Sequence, residues 1–152
     1  LLIPIWESFY FYWIHRFLHI PFLYKHVHAL HHRNINVGPW SGLSMHPVEH
    51  VIFLGSVMIH WIIAAHPVHI LFHLQYYALT AATTHTGFEG VSIKDENRLV
   101  LGRFHHQMHH RYFECNYGSL EIPWDKFFGS FHDGTNEADK RMKERRKRMM
   151  GA

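Results

Sequence analysis

The chemistry of this sequence is concentrated in histidine. Its 152 residues carry 18 histidines, more than the 15 Lys and Arg or the 12 Asp and Glu. Three groups have helical spacing: His15 and His19 stand four apart, and His28, His31 and His32 stand at i, i+3 and i+4. His106, His109 and His110 repeat that second pattern, with His105 just before. Residues three and four apart share one helix face, so each group aims two or three imidazoles at one point. Neutral imidazole is a good ligand for iron, zinc, copper or nickel. A single tetrahedral zinc uses at most about four protein ligands, so eight or more nitrogens suit two ions of higher coordination number. The Glu-x-x-His pairs of soluble di-iron bundles are missing, so a dinuclear site here must be rich in histidine. One histidine on an apolar helix is more often a hydrogen-bonded core residue; three matched groups are better explained as ligands.

The elements that must position these groups are apolar. Stretches 1–18, 48–65 and 67–84 are poor in charge, and only His66 and Pro67 separate the last two, which read as a helical hairpin. At 1.5 Å per residue, 18 residues cover about 27 Å, close to the ~30 Å hydrocarbon core of a bilayer. The hairpin tip at 64–69 has no Lys or Arg. If all three stretches span, every basic residue falls on one side, which the positive-inside rule makes the cytoplasm. The three histidine groups emerge on that same side and can converge.

The remaining polar residues sort by the same topology. His66, His69 and His73 fall at or near the opposite end and read as interfacial or structural, while His60 lies mid-span with no assigned partner. His46 and His50 read as helix-entry or supporting residues. Pro47 suits a first helical turn, and Glu49 can orient a ligand imidazole. Glu7, the only acid in the first stretch, is costly in lipid unless paired or near an interface; the interface is the simpler expectation. Asn116, Tyr117, Trp124 and Asp125 read as capping and packing residues, Asn116 also being able to hold a metal-bound water.

Composition excludes several classes. Aromatics at 16% exclude a disordered chain, and the single Cys115 excludes a disulfide scaffold. The basic run between Lys140 and Arg148 has no interleaved aromatics, which argues against nucleic acid. It reads as a solvated helix or a surface that meets anionic headgroups. The expected fold is all-α: an integral membrane helical bundle with a cytosolic histidine-rich cap over 1–134, then a basic tail over 135–152. With no basic leader ahead of its apolar start, the chain reads as the later part of a longer protein.

His15-Arg-Phe-Leu-His19, His28-Ala-Leu-His31-His32 and His106-Gln-Met-His109-His110 resemble the three histidine boxes of the fatty acid hydroxylase/sterol desaturase superfamily. Asn116-Tyr117-Gly118 and Trp124 to Gly129 are similar to the segment that follows the third box there, and His85-Thr-Gly-Phe-Glu89 to a histidine after the last membrane helix. The resemblance runs from His15 to Gly129. It implies a membrane-bound, non-haem di-iron, O2-dependent hydroxylase or desaturase acting on a lipid such as a sterol or fatty acyl chain. It places that enzyme in a bacterial inner membrane or the endoplasmic reticulum, with the metal site facing the cytoplasm. The implied ligands are His15, His19, His28, His31, His32, His106, His109 and His110, with His85 a ninth. Two iron ions are the implied cofactor, zinc being able to replace them on isolation. Ala81 stands where some members carry a further histidine, for which His46 or His50 would have to compensate. Because the sequence has no nucleotide, flavin or iron–sulfur motif, electrons would come from an external ferredoxin or cytochrome b5 type donor. Aromatics at 9–13 and at Phe72, Tyr76 and Tyr77 would line an apolar slot or simply pack. The competing reading is a non-catalytic membrane subunit with a structural or vestigial metal site.

Overall fold

The computed structural model describes residues 2–86, 90–93, 97–100, 103–119 and 121–149. Helix α1 (Ile3–Leu18) starts on Pro4, whose fixed φ and missing N–H suit a first turn. The short α2 (Pro21–His26) follows, then 3-10 segments at His28–Arg33 and Pro39–Leu43. Helix α3 (Pro47–Leu54) runs into a third 3-10 segment, Gly55–Trp61, and α4 (Pro67–Thr84) is the longest helix among the described residues. A two-stranded antiparallel hairpin pairs β1 (Gly90–Ile93) with β2 (Asn97–Val100). Helices α5 (Arg103–Tyr112), α6 (Trp124–Phe127) and α7 (Asn136–Met149) complete the described chain.

The expectation of helix is met, with that one hairpin in addition. The expectation of three uninterrupted apolar helices is not. The 48–65 stretch changes from α to 3-10 geometry at Gly55, and α1 has only 16 residues. Polar His69, His73, Gln75 and Thr80 dilute α4. Among the described residues no helix is long and apolar enough to cross a membrane.

Apolar and polar residues are distributed unusually. Leu18, Phe53 and Tyr77 form a small core that joins α1, α3 and α4, with Phe11 stacked on Phe53 at 5.3 Å between ring centroids. Each such buried side chain contributes roughly 1.5–3 kcal/mol. Yet much of the buried interior is polar, and histidine dominates it, while large apolar side chains of α1, α3 and α4 face outward. Trp61 and Ile62 are each 83% exposed.

Close backbone approach sets the floor of the fold. The Pro39–Leu43 segment lies against the C-terminal end of α4, and a Cβ on Gly42 would sit 2.0 Å from the Ala81 carbonyl oxygen. Only glycine fits there. The segment from Cys115 to Ser130 is organised by Asp125, which accepts from Tyr117 N–H at 2.9 Å, Gly118 N–H at 2.8 Å and the Ser130 hydroxyl at 2.6 Å. Asn116 adopts the left-handed conformation (φ 54°), which Asn tolerates. Its side chain bridges the backbone of His105 and His132.

Candidate metal centre

The three histidine groups come together. His15, His19, His28, His32 and His109 each offer one nitrogen within a single cluster, and His31, His85, His106 and His110 do so in a second. Each cluster draws on segments far apart in sequence: α1, the 28–33 turn and α5 for the first, and that turn, the end of α4 and α5 for the second. The 28–33 segment divides its histidines between the two: His28 and His32 join one cluster and His31 the other. The clusters abut, with the rings of His31 and His32 5.7 Å apart.

Hydrogen bonds on the outer nitrogens set the direction of the rings. Nδ1 of His15 donates to the Tyr117 carbonyl at 2.7 Å, His109 to Cys115 at 2.7 Å, His85 to Ala81 at 2.7 Å and His31 to Ser44 at 3.4 Å. His28 Nδ1 donates to the Glu49 carboxylate at 2.6 Å, so the sequence expectation for Glu49 holds. Such bonds select the tautomer whose Nε2 carries a bare lone pair. These Nε2 atoms converge with those of the other cluster histidines. In the first cluster His32 Nε2 lies 3.2 Å from His19, 3.0 Å from His28 and 3.1 Å from His109. In the second, His85 Nε2 lies 2.8 Å from His106 and 3.2 Å from His110, which are 3.1 Å apart. Nε2 of His15 is buried with no partner.

So many ring nitrogens about 3 Å apart are poorly served by imidazolium, which burial disfavours. Burial first, then the neighbouring imidazoles, hold His31, His106 and His109 well below the ordinary histidine range. The same burial lowers His110 to about 3 and His85 to about 4. What these donors fit is a cation in each cluster, bound by neutral imidazoles.

Other sequence expectations resolve individually. His46 caps α3 by accepting from Val48 N–H, and His50 bonds the Leu43 carbonyl; neither joins a cluster, so neither stands in for a histidine at Ala81. The Ala81 carbonyl instead holds His85. His66 caps α4. Glu7 departs from the interfacial expectation: it is buried, and it accepts from His73 Nε2–H at 2.9 Å. His73, read as interfacial or structural, is structural, and its Nδ1 meets His60 Nε2 at 3.1 Å. Asn116 spends its amide on backbone groups, which leaves the capping role. His132 had no spacing signal; it is buried, and it donates to Asp139 to hold α7. Gly87, Phe88 and Glu89 of the His85 motif lie outside the described residues. Cys115 is an inert thiol, pushed up to about 12 by burial and nearby carboxylates.

A cavity adjoins both clusters through His15, His28, His31, His85 and His106. Phe11, Met45, Phe53 and Tyr77 give it apolar walls.

Two histidine clusters that could hold metal ions, beside an apolar cavity and set in a helical frame, define a class of candidate metalloprotein. The family follows from comparison: the fatty acid hydroxylase family model matches residues 1–130, and the chain belongs to that family. It is 32% identical to a Delta(7)-sterol 5(6)-desaturase of Gibberella zeae over 130 residues, 84% of this chain and 40% of that protein. It is 35% identical to the lathosterol oxidase of Rattus norvegicus over 128 residues, 79% of this chain and 40% of that protein. A putative Delta(7)-sterol-C5(6)-desaturase of Arabidopsis thaliana is 33% identical over 127 residues, 81% of this chain and 44% of that protein. The chain thus spans about two fifths of the length of these relatives. No solved structure matches it significantly.

Proposed function

We propose that this chain carries the catalytic centre of a membrane-bound, di-iron, O2-dependent sterol desaturase or hydroxylase. The facing, unprotonated Nε2 atoms of two buried histidine clusters beside an apolar cavity carry the reading. His15, His19, His28, His32 and His109 would hold one iron, and His31, His85, His106 and His110 the other. Bound iron supplies the O2 activation that an unactivated C–H bond requires. The protein's part is position and dryness. Glu49 and the carbonyls of Ser44, Ala81, Cys115 and Tyr117 fix ring orientation, while Phe11, Phe53 and Tyr77 keep water from the lipid beside the clusters. The names of the relatives favour a sterol.

The outward apolar faces of α1, α3 and α4 support contact with lipid or with other membrane segments, on the principle that large exposed apolar patches mark such surfaces. In this reading residues 1–134 form the membrane domain and 135–152 its basic tail. The clusters then face the cytoplasm, and electrons arrive from a ferredoxin or cytochrome b5 type donor. The test is expression of the full-length protein in cells lacking their own sterol desaturase, with sterols profiled by mass spectrometry. Oxygen-dependent appearance of a dehydrogenated or hydroxylated sterol is expected. An unchanged sterol profile from metal-loaded protein supplied with a donor would overturn the proposal and favour a non-catalytic subunit.

A further inference from the structure

Two of the carbonyls that orient ligand histidines lie two residues apart on one loop. Tyr117 C=O accepts from His15 Nδ1 at 2.7 Å, and Cys115 C=O from His109 Nδ1 at 2.7 Å. Both imidazoles belong to the first cluster, whereas His31 and His85 of the second use the carbonyls of Ser44 and Ala81. A trans peptide is planar, with its C=O and N–H on opposite sides, so whatever grips the N–H aims the C=O. The N–H in the plane of the Tyr117 carbonyl is that of Gly118, which donates to Asp125 Oδ2 at 2.8 Å. The N–H in the plane of the Cys115 carbonyl is that of Asn116, which donates to the Ser130 carbonyl at 2.9 Å. Ser130 is held in turn by Asp125, its N–H donating to the Asp125 carbonyl at 2.8 Å and its hydroxyl to Oδ1 at 2.6 Å. Tyr117 N–H gives Oδ1 a further bond at 2.9 Å. One aspartate thus controls both planes. Its side chain bonds Tyr117, Gly118, Ser130 and His105, none of which belongs to a cluster.

Asp125 is 2% exposed. Burial opposes its ionisation, but bonds from His105, Ser130 and Gly118 outweigh it and hold the carboxyl below the ordinary carboxylate range. A charged acceptor takes an N–H about twice as strongly as a neutral one, and the peptide it polarises is a better acceptor at its far end. The charge on Asp125 therefore reaches His15 through one peptide group, where Glu49 reaches His28 directly. We infer that Asp125 is a positioning residue for the first metal ion alone, acting through the 115–118 backbone on His15 and His109. The inference rests on the clusters holding metal, as proposed above, and not on which lipid is oxidised.

The test is titration of the full-length, metal-stripped protein in detergent with cobalt(II), whose visible bands report ligand geometry. Asp125→Asn keeps the shape of the side chain and loses its charge and one acceptor. Affinity for one of two ions should fall about 10–100-fold, the range typical of residues that orient ligands, while the other ion binds as in the wild type. Two paired backgrounds assign the ions. With His85 and His110 replaced by Ala, the remaining ion sits in the first cluster, and Asp125→Asn should weaken it. With His32 and His109 replaced by Ala, the remaining ion sits in the second and should bind unchanged. Ser130→Ala removes one bond from the carboxylate and is the milder variant, decisive if Asp125→Asn does not fold; it should give a smaller loss confined to the same ion. Equal weakening of both ions in a folded variant, or of neither, would mean that Asp125 serves only the loop and would overturn the inference. Wild-type protein that takes up no cobalt would overturn the metal reading, and this inference with it.

Discussion

Two sets of histidines lie in the interior, one around Glu7 and one in the two clusters, and they differ in how their protons are accounted for. Around Glu7, His73 and His60 each contact runs from donor to acceptor, ending on a carboxylate. Around His15, His28, His31, His85 and His109 the outer nitrogen is spent on a carbonyl or on Glu49, and the inner nitrogens converge with those of the neighbouring histidines. The first set is a hydrogen-bonded polar core. The second is arranged as a candidate cation site. Burial alone does not distinguish them, since His73 and His109 are equally inaccessible; the direction of the lone pairs does.

The largest effect should come from breaking the second set at its most enclosed ligand. His109→Ala removes a ring that meets His32 at 3.1 Å and Cys115 at 2.7 Å. Activity should fall by more than about 100-fold, beyond the 10–100-fold typical of supporting residues, with metal analysis showing a matching loss. Glu49→Gln leaves every ligand in place and weakens only the hold on His28, so metal affinity or activity should drop about 10–100-fold. Metal titration would show the difference between a lost ligand and a loosened one.

Acid sharpens the contrast in the metal-free protein. The folded state keeps His85 near 4 and His110 near 3, whereas an unfolded histidine titrates near 6.5. Between these values the unfolded chain binds more protons, so stability is full above about pH 6.5 and declines as pH falls toward 4. Denaturant midpoints across pH 7.5 to 4 would show this decline; a flat profile would mean the rings are protonated without cost. The smallest effect belongs to His69, which is exposed at the far end of the hairpin. His69→Ala should leave metal content unchanged, and a loss there would contradict the separation of the two sets.

The sequence made the second set legible because spacing and ligand chemistry reinforce each other. Three groups of helical periodicity name eight of the nine members of the two clusters, and the family resemblance adds His85, even though the 28–33 segment is 3-10 rather than α. His31 nevertheless joins a different cluster from His28 and His32, and residue spacing carries no trace of that division. The first set was opaque for a related reason. Glu7 and His73 are 66 residues apart, and pairing across that distance is a property of packing. Gly42 escaped notice because its constraint is the Ala81 carbonyl on another helix. The breakdown of the 48–65 stretch at Gly55 was hidden by composition, since an apolar run reads alike in α and 3-10 geometry. His132 lacks any neighbour at ligand spacing, and its burial comes from packing, with Tyr112 stacked on its ring at 4.8 Å and Asp139 of α7 bonded to it.

The most direct measurement is metal analysis of the purified full-length protein, combined with X-ray absorption at the iron edge. Two iron ions per chain, each surrounded by nitrogen from imidazole with no sulfur, is the predicted result. A protein that retains its fold yet binds no metal, or binds it through sulfur, would contradict the assignment of the two clusters.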